Sequence, residues 1–243
     1  MNETLDNFLG GRIKLIQPSD GYRAAIDPIF LAASVHPKSD EKILDIGAGV
    51  GVASISLAVR CPHAHIIGLE VQPDLVQFAL TNIEVNQVKD RVEIINGELL
   101  SPPSFLKFHS FDQIMTNPPY YEYNRTQSSP IPGKAQANTE TVDLGKWIKS
   151  CLKFLKPKGI FTMIHRTERL DEILSHLRNR VGDLVVYPLW PGPNKPARRV
   201  IIQGRKNIRG DLRLVQGLTL HGGTEKYTSE AEAILRHAHA IIL

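Results

Sequence analysis

Asn117-Pro118-Pro119-Tyr120 closes the apolar run FDQIMTN (111–117), and these four residue types suit one kind of chemistry. An aromatic or amide amine is a poor nucleophile because its lone pair is delocalised. Two acceptors, the Asn117 side-chain oxygen and the Pro118 carbonyl, would take its two N–H bonds. They would favour a tetrahedral nitrogen and aim the lone pair at an electrophilic methyl group. Consecutive prolines hold that carbonyl with little entropy left to lose. Tyr120 offers a π-face for a planar group, as in pockets that receive flipped bases. In-line displacement at a sulfonium requires no metal and no obligatory general base, so proximity and orientation carry most of the barrier reduction.

A methyl donor needs its own site, and Asp45-Ile46-Gly47-Ala48-Gly49-Val50-Gly51 lies between a strand-like run and an amphipathic stretch beginning near Val52. Glycines there allow a tight turn and close approach of a ligand. The spacing G-x-G-x-G lacks the register of the pyrophosphate fingerprint, and Asp45 would repel a pyrophosphate. A cationic or zwitterionic ligand fits better: S-adenosylmethionine carries an ammonium and a sulfonium, which Asp45 would engage partly through water. Glu70, nineteen residues after Gly51 at the tip of HIIGLE, suits bidentate recognition of ribose hydroxyls, with Val71 next to it. Asn96-Gly97-Glu98 ends the run VEIIN, and Glu98 would accept from the adenine amine. The expected cofactor set is therefore Asp45, Gly47, Ala48, Gly49, Gly51, Glu70, Val71, Gly97, Glu98 and Asn117.

These groups need a sheet edge to hold them. The runs 42–46, 65–70, 92–96, 111–117 and 159–165 are separated by stretches long enough for helices, a βαβ rhythm. Leu170, Ile173, Leu174, Leu177 and Val181 share one helical face, and Leu144, Ile148, Cys151, Leu152 and Leu155 share another, so both helices should cover a mostly parallel sheet. After a helix ending near Gly182, the runs 184–190 and 198–204 are joined by PGPNKPA, which leaves no room for a helix, and must pair as a hairpin. In the segment before the first core strand, Asp27 reads as an N-cap with Pro28 at the first helical position. The stretch 120–140 has no apolar periodicity and reads as a loop that orders on substrate binding.

The 243 residues are 42% hydrophobic and 22% charged, with 18 glycines and 16 prolines, which excludes disorder, collagen and coiled coil. Two cysteines, Cys61 and Cys151, are too few for a disulfide framework and point to a reducing compartment. MNETLDNFLGGRIKL has acids and no apolar signal core, so a soluble cytoplasmic location without membrane attachment is expected. Net charge is +4, yet Lys195 to Arg213 holds seven bases and one acid. Such clustering is the usual footprint of polyanion contact, and Lys195, Arg198, Arg199 and Arg205 are expected to meet phosphates. His165 reads as a strand-end residue bonded locally. His63, His65, His237 and His239 lack metal-site spacing, so no metal is expected. Cys61, Cys151, Trp147 and Trp190 read as packing residues.

DIGAGVG, Glu70 and NPPY together resemble the class I S-adenosylmethionine-dependent amino-methyltransferases over residues 42–206. DGYRAAIDPIFLAA (20–33), the loop with Arg125 and Ala135, IHRTERLDEIL (164–174) and EKYTSEAEAIL (225–235) resemble, more narrowly, the bacterial tRNA1(Val) adenine-37 N(6)-methyltransferase family. The resemblance implies a Rossmann-like α/β fold with a seven-stranded, mostly parallel sheet and an antiparallel hairpin at one edge. One domain would span 1–243, with extensions 1–41 and 207–243 around the core 42–206. Asn117 to Tyr120 would bind the target amine, and Tyr22, Arg23 and Asp27 would close over the methionine end of the cofactor. The family position matching Glu98 usually holds Asp. The expected reaction moves methyl from S-adenosylmethionine to the N(6) amine of an adenine in structured RNA, tRNA first. S-adenosylhomocysteine is the product, and the enzyme would be a monomer or weak homo-oligomer. The rivals are methylation of a glutamine amide in a translation protein, a non-catalytic RNA-binding relative and, ranked below both, a DNA adenine methyltransferase.

Overall fold

A computed structural model describes residues 3–20, 23–119, 143–222 and 225–243. The first element is a hairpin that the sequence reading did not anticipate. β1 (Glu3–Phe8) and β2 (Ile13–Pro18) pair antiparallel around Leu9-Gly10-Gly11. Gly10 and Gly11 have φ of 65° and 88°, which only glycine adopts without strain. The glycine pair between two alternating runs was the available signal.

The main sheet contains β3 (Lys42–Ile46), β4 (His65–Glu70), β5 (Val92–Asn96), β6 (Phe111–Thr116), β7 (Leu155–Arg166), β8 (Val181–Trp190) and β9 (Arg199–Lys206). Their order is β5-β4-β3-β6-β7-β9-β8. The strands from β5 to β7 are parallel, and β9 runs antiparallel to both β7 and β8. The expected seven strands and edge hairpin are present. Two short strands, β10 (Arg213–Leu214) and β11 (Leu218–Thr219), lie along the outer side of β8 and bring the sheet to nine.

Parallel strands covered on both faces read as continuous apolar runs, and KILDI and HIIGLE bury residues on both sides. One face carries α1 (Asp27–Ala33), α2 (Val52–Arg60) and α3 (Pro73–Val85), whose Phe30, Ile55 and Ala79 join one core. α4 (Leu144–Phe154) and α5 (Leu170–Leu177) cover the other, with Ile148, Cys151 and Ile173 in a second core. α6 (Ser229–His237), capped by the Thr228 hydroxyl, returns to the first face.

Three local expectations are corrected. The apolar face 170–181 spans a helix and then a strand: α5 ends at Leu177, Asn179 turns with φ of 63°, and Val181 opens β8. β7 begins at Leu155 rather than Gly159, with a register shift against β6 around Lys158, whose φ is 66°. Asp27 is not a cap. Ile26 holds that position, and the Asp27 carboxylate accepts from Arg199 Nε at 2.7 Å.

The N-terminal hairpin docks through side-chain amides. Asn82 Nδ2 donates to Ile16 O at 2.9 Å and Val50 O at 3.0 Å, while its Oδ1 accepts from Ile16 N at 2.7 Å. One turn later, Asn86 makes the same reciprocal pair with Lys14. The edge of β2, with i and i+2 facing one way, thus meets Asn82 on α3 and Asn86 at its C-cap in place of another strand. Asn82→Ala strands buried groups on β2 and at Val50. It should cost about 3 kcal/mol, read as a lower urea midpoint, with the hairpin amides losing protection from exchange first.

Candidate active site at the carboxyl ends of the sheet

Winding reverses between β3 and β6, and ligands of such sheets bind outside the carboxyl ends at that switch. The glycine turn stands there. Gly47 N and Ala48 N both donate to Leu69 O, at 2.9 and 3.1 Å, and Gly47, Gly49 and Gly51 have φ of 77°, 57° and 88°. A Cβ added to Gly47 would lie 3.4 Å from the Trp147 ring. Gly51 leads into α2, whose first-turn Ile55 N donates to Gly51 O.

Glu70 is buried, and its two carboxylate oxygens accept from Gly49 N and Gln72 N, each at 2.9 Å. A carboxylate has roughly four lone-pair sites, so Glu70 can brace the turn and still accept hydroxyls. Asp45 is also buried and accepts from Ser54 Oγ at 2.7 Å. Burial pushes its carboxyl up to about 7, with the nearby Glu70 charge adding to the rise and the Ser54 hydrogen bond opposing it. A buried acid of this kind is relieved by a cation.

The end of β6 is tied to the end of β3. Thr116 Oγ1 donates to Ile46 O at 2.8 Å and accepts from Trp147 Nε1 at 3.0 Å. Trp147 therefore does more than pack, because one ring touches the glycine turn and fixes the residue before Asn117. A Cβ on Gly47 would stand 3.9 Å from the Asn117 carbonyl oxygen, so the amide-Pro-Pro turn borders the glycine turn. Pro118 is buried and Pro119 exposed. Tyr120, the loop beyond it and Tyr22 lie outside the described residues. Sequence reasoning missed Ser54, Thr116 and Asn82, whose roles come from partners distant in the chain.

Other expected residues lie around this edge with distinct attachments. Gly97 N donates to Glu70 O, which keeps β5 beside the acid. Glu98 is exposed and accepts from Leu100 N at 3.2 Å, and Val71 is exposed. Arg23 is held on β1 by Asp6 at 2.7 Å and Thr4 at 2.9 Å. The basic segment divides. Lys195, Arg198 and Arg199 stand at the carboxyl end of the sheet. Arg205, six residues along β9, lies about 20 Å away at the opposite end and pairs in register with Ile160. Lys206 is buried, donating to Leu152 O and Leu155 O at 2.6 and 2.7 Å, so it serves the end of α4. Next to the site end, His165 is buried on β7 and pushed down to about 4, chiefly by burial and then by the charges of Arg169, Arg199 and Arg166. It is neutral at pH 7.

The donor set fits S-adenosylmethionine: a buried acid seeking a cation, a second acid with acceptor capacity left, and a turn whose backbone a side chain would block. Among the described residues no cluster of histidine, cysteine, aspartate and glutamate could hold a metal ion, and no helix is long and apolar enough to cross a membrane.

A family model described as "Methyltransferase domain" matches residues 37–187, which include the ends of β3, β4 and β6. The architecture is that of the class I S-adenosylmethionine-dependent methyltransferases. A protein of Agrobacterium tumefaciens described as a predicted O-methyltransferase shares the fold with a TM-score of 0.73 at 21% identity, over 89% of this chain and 99% of that one. Closer in sequence is the tRNA1(Val) (adenine(37)-N6)-methyltransferase of Phocaeicola vulgatus, 33% identical over 88% of this chain and 89% of the relative. The chain belongs to that methyltransferase family. The rRNA N(6)-adenosine-methyltransferase metl-5 of Caenorhabditis elegans is 24% identical over 75% of this chain and 78% of its own.

Asp45 yields a pH prediction. Its folded value of about 7 lies above the ordinary 3.8, so the native state holds the extra proton, and this contribution to stability falls as pH rises from about 4 to 7. His165, displaced downward, works in the opposite sense, so the comparison must be between variants. Asp45→Asn should gain on the parent by an amount on the order of 4 kcal/mol between pH 4 and 8. Urea unfolding of both proteins across that range checks it, and a constant difference would refute it.

Proposed function

We propose that the protein transfers the methyl group of S-adenosylmethionine to the exocyclic N(6) amine of an adenine in RNA, with tRNA as the substrate. One observation carries this reading: the Asn117-Pro118-Pro119 turn borders the Gly47 turn at the switch point, tied to β3 through Thr116. Relatives named for transfer to adenines of tRNA and of rRNA support the amine.

The cofactor supplies an electrophilic methyl on a sulfonium. Asp45 would hold the cationic amino-acid end, Glu70 would accept the ribose hydroxyls, and Gly97 and Glu98 would meet the adenine. Asn117 Oδ1 and the Pro118 carbonyl accept the two N–H groups of the target amine, which lifts its lone pair out of conjugation and toward the methyl. Tyr120, next in the sequence, is the aromatic residue expected to stack on the base. The methylated nitrogen loses its surplus proton to solvent after transfer, so no side chain need act as base in the transfer step. Lys195 and Arg198, exposed at the hairpin turn, contact phosphates. Arg199 completes the edge while pairing with Asp27, and Arg205 faces away. The enzyme works in the cytoplasm, as a monomer or weak homo-oligomer, with residues 1–243 acting as one domain.

Purified protein with radiolabelled cofactor should label bulk tRNA, and the label should run as N(6)-methyladenosine after nuclease digestion. Protease-sensitive label would instead indicate a protein amide. Asn117→Ala should lower transfer at least about 100-fold while cofactor affinity, measured by calorimetry, is retained. For the RNA surface, Lys195→Ala with Arg198→Ala should reduce the salt slope of tRNA binding by about 2. Arg205→Ala should leave that slope unchanged. Equal effects at both ends of β9 would refute the division of the basic segment.

A further inference from the structure

A groove of about 1000 Å³ lies outside the transfer site, between the hairpin turn, the segment of β10 and β11, and the start of α6. Trp190 forms part of its wall. The indole is fixed by Nε1 donating to Gln216 O at 2.8 Å, and its backbone pairs with Thr219 of β11. Lys195 stands at the rim and Glu230 enters from α6. Lys195 and Arg198 are both exposed at this end of the hairpin, so the rim favours a polyanion. A fixed aromatic face beside basic residues is the usual platform for a single-stranded base.

The groove opens at the same carboxyl edge of the sheet as Asn117. Leu189, next to Trp190, pairs in register with Arg199, which pairs with Arg166 on β7. β6 is the next strand, and Asn117, one residue past Thr116, falls level with Ile164 of β7, Ile201 of β9 and Tyr187 of β8. Trp190 therefore stands three strand spacings across and three residues further along, about 17 Å from Asn117. A nucleotide flanking the target by two or three positions along one RNA strand covers that span.

We infer that this groove is a second nucleobase subsite, taking the base of a nucleotide that flanks the target adenosine, with the ring against Trp190, an exocyclic amine toward Glu230 and a phosphate toward Lys195. The inference rests on the RNA reading above. Carboxylates accept from exocyclic base amines, so Glu230 disfavours uracil, which has none.

The test is steady-state methylation of an RNA stem-loop carrying the target adenine in a single-stranded loop, by the parent and by Trp190→Ala, Trp190→Phe and Glu230→Ala. Trp190→Ala should raise KM for the RNA roughly tenfold with kcat and cofactor affinity unchanged, and Trp190→Phe should restore KM. Uracil at the flanking position should raise KM for the parent but not for Glu230→Ala. An unchanged KM in Trp190→Ala, or a fall in kcat and cofactor affinity that phenylalanine does not rescue, would overturn the subsite while leaving the RNA reading intact. A parent protein that transfers nothing to RNA but labels protein would overturn both, and that result is read before any variant is compared.

Discussion

The Thr116 hydroxyl donates to the Ile46 carbonyl and accepts from the Trp147 indole, and this short relay joins the two strands between which the winding reverses. Ile46 precedes the glycine turn and Thr116 precedes Asn117, so donor and acceptor halves of the site share one joint. The surrounding hydrogen bonds extend it. Leu69 O holds the start of the glycine turn, Glu70 accepts from Gly49, and Gly97 donates to Glu70 O. Backbone held by four elements is preorganised, which is what transfer governed by proximity and orientation requires.

The flanking segments complete the site face from behind. The β1–β2 hairpin is locked to α3 by Asn82 and Asn86, and Asn82 also reaches Val50 in the glycine turn. Gly10 approaches the Arg236 carbonyl so closely that a Cβ would come within 2.7 Å, while Ile241 N donates to Ala33 O. The N-terminal hairpin, α1 and α6 therefore form one layer over the first core. Arg23, expected near the cofactor, is part of this layer through Asp6 and Thr4.

Charge follows the same division. A run of bases that looks uniform along the chain is separated by the extended geometry of β9. Lys195 and Arg198 remain at the active edge, Arg199 is shared with Asp27, Arg205 is carried to the far end, and Lys206 is buried among carbonyls of α4 and β7. The two lone acids of the site differ as well. Glu70 has backbone donors from two different residues on its two oxygens, whereas Asp45 is served by Ser54 alone, through its hydroxyl and its backbone, and burial holds its carboxyl up at about 7. A cationic ligand changes the second far more than the first.

Periodicity and punctuation in the sequence determined the sheet, the helices of both faces, the β8–β9 hairpin and the strand ends where Asp45, Glu70 and Asn117 sit. These depend on local chemistry: apolar runs need burial, glycines permit the turn, and the seven-residue connection PGPNKPA leaves no room for a helix. Tertiary structure alone decided where α5 gives way to β8 at Val181, that Asp27 pairs with Arg199 instead of capping α1, that Trp147 bridges both turns, and which bases face the site. In each case the deciding partner is remote in sequence, so the energy of the contact has no local signature. An apolar residue at a helical interval serves a following strand equally well, and an arginine's role depends on which end of its strand it occupies.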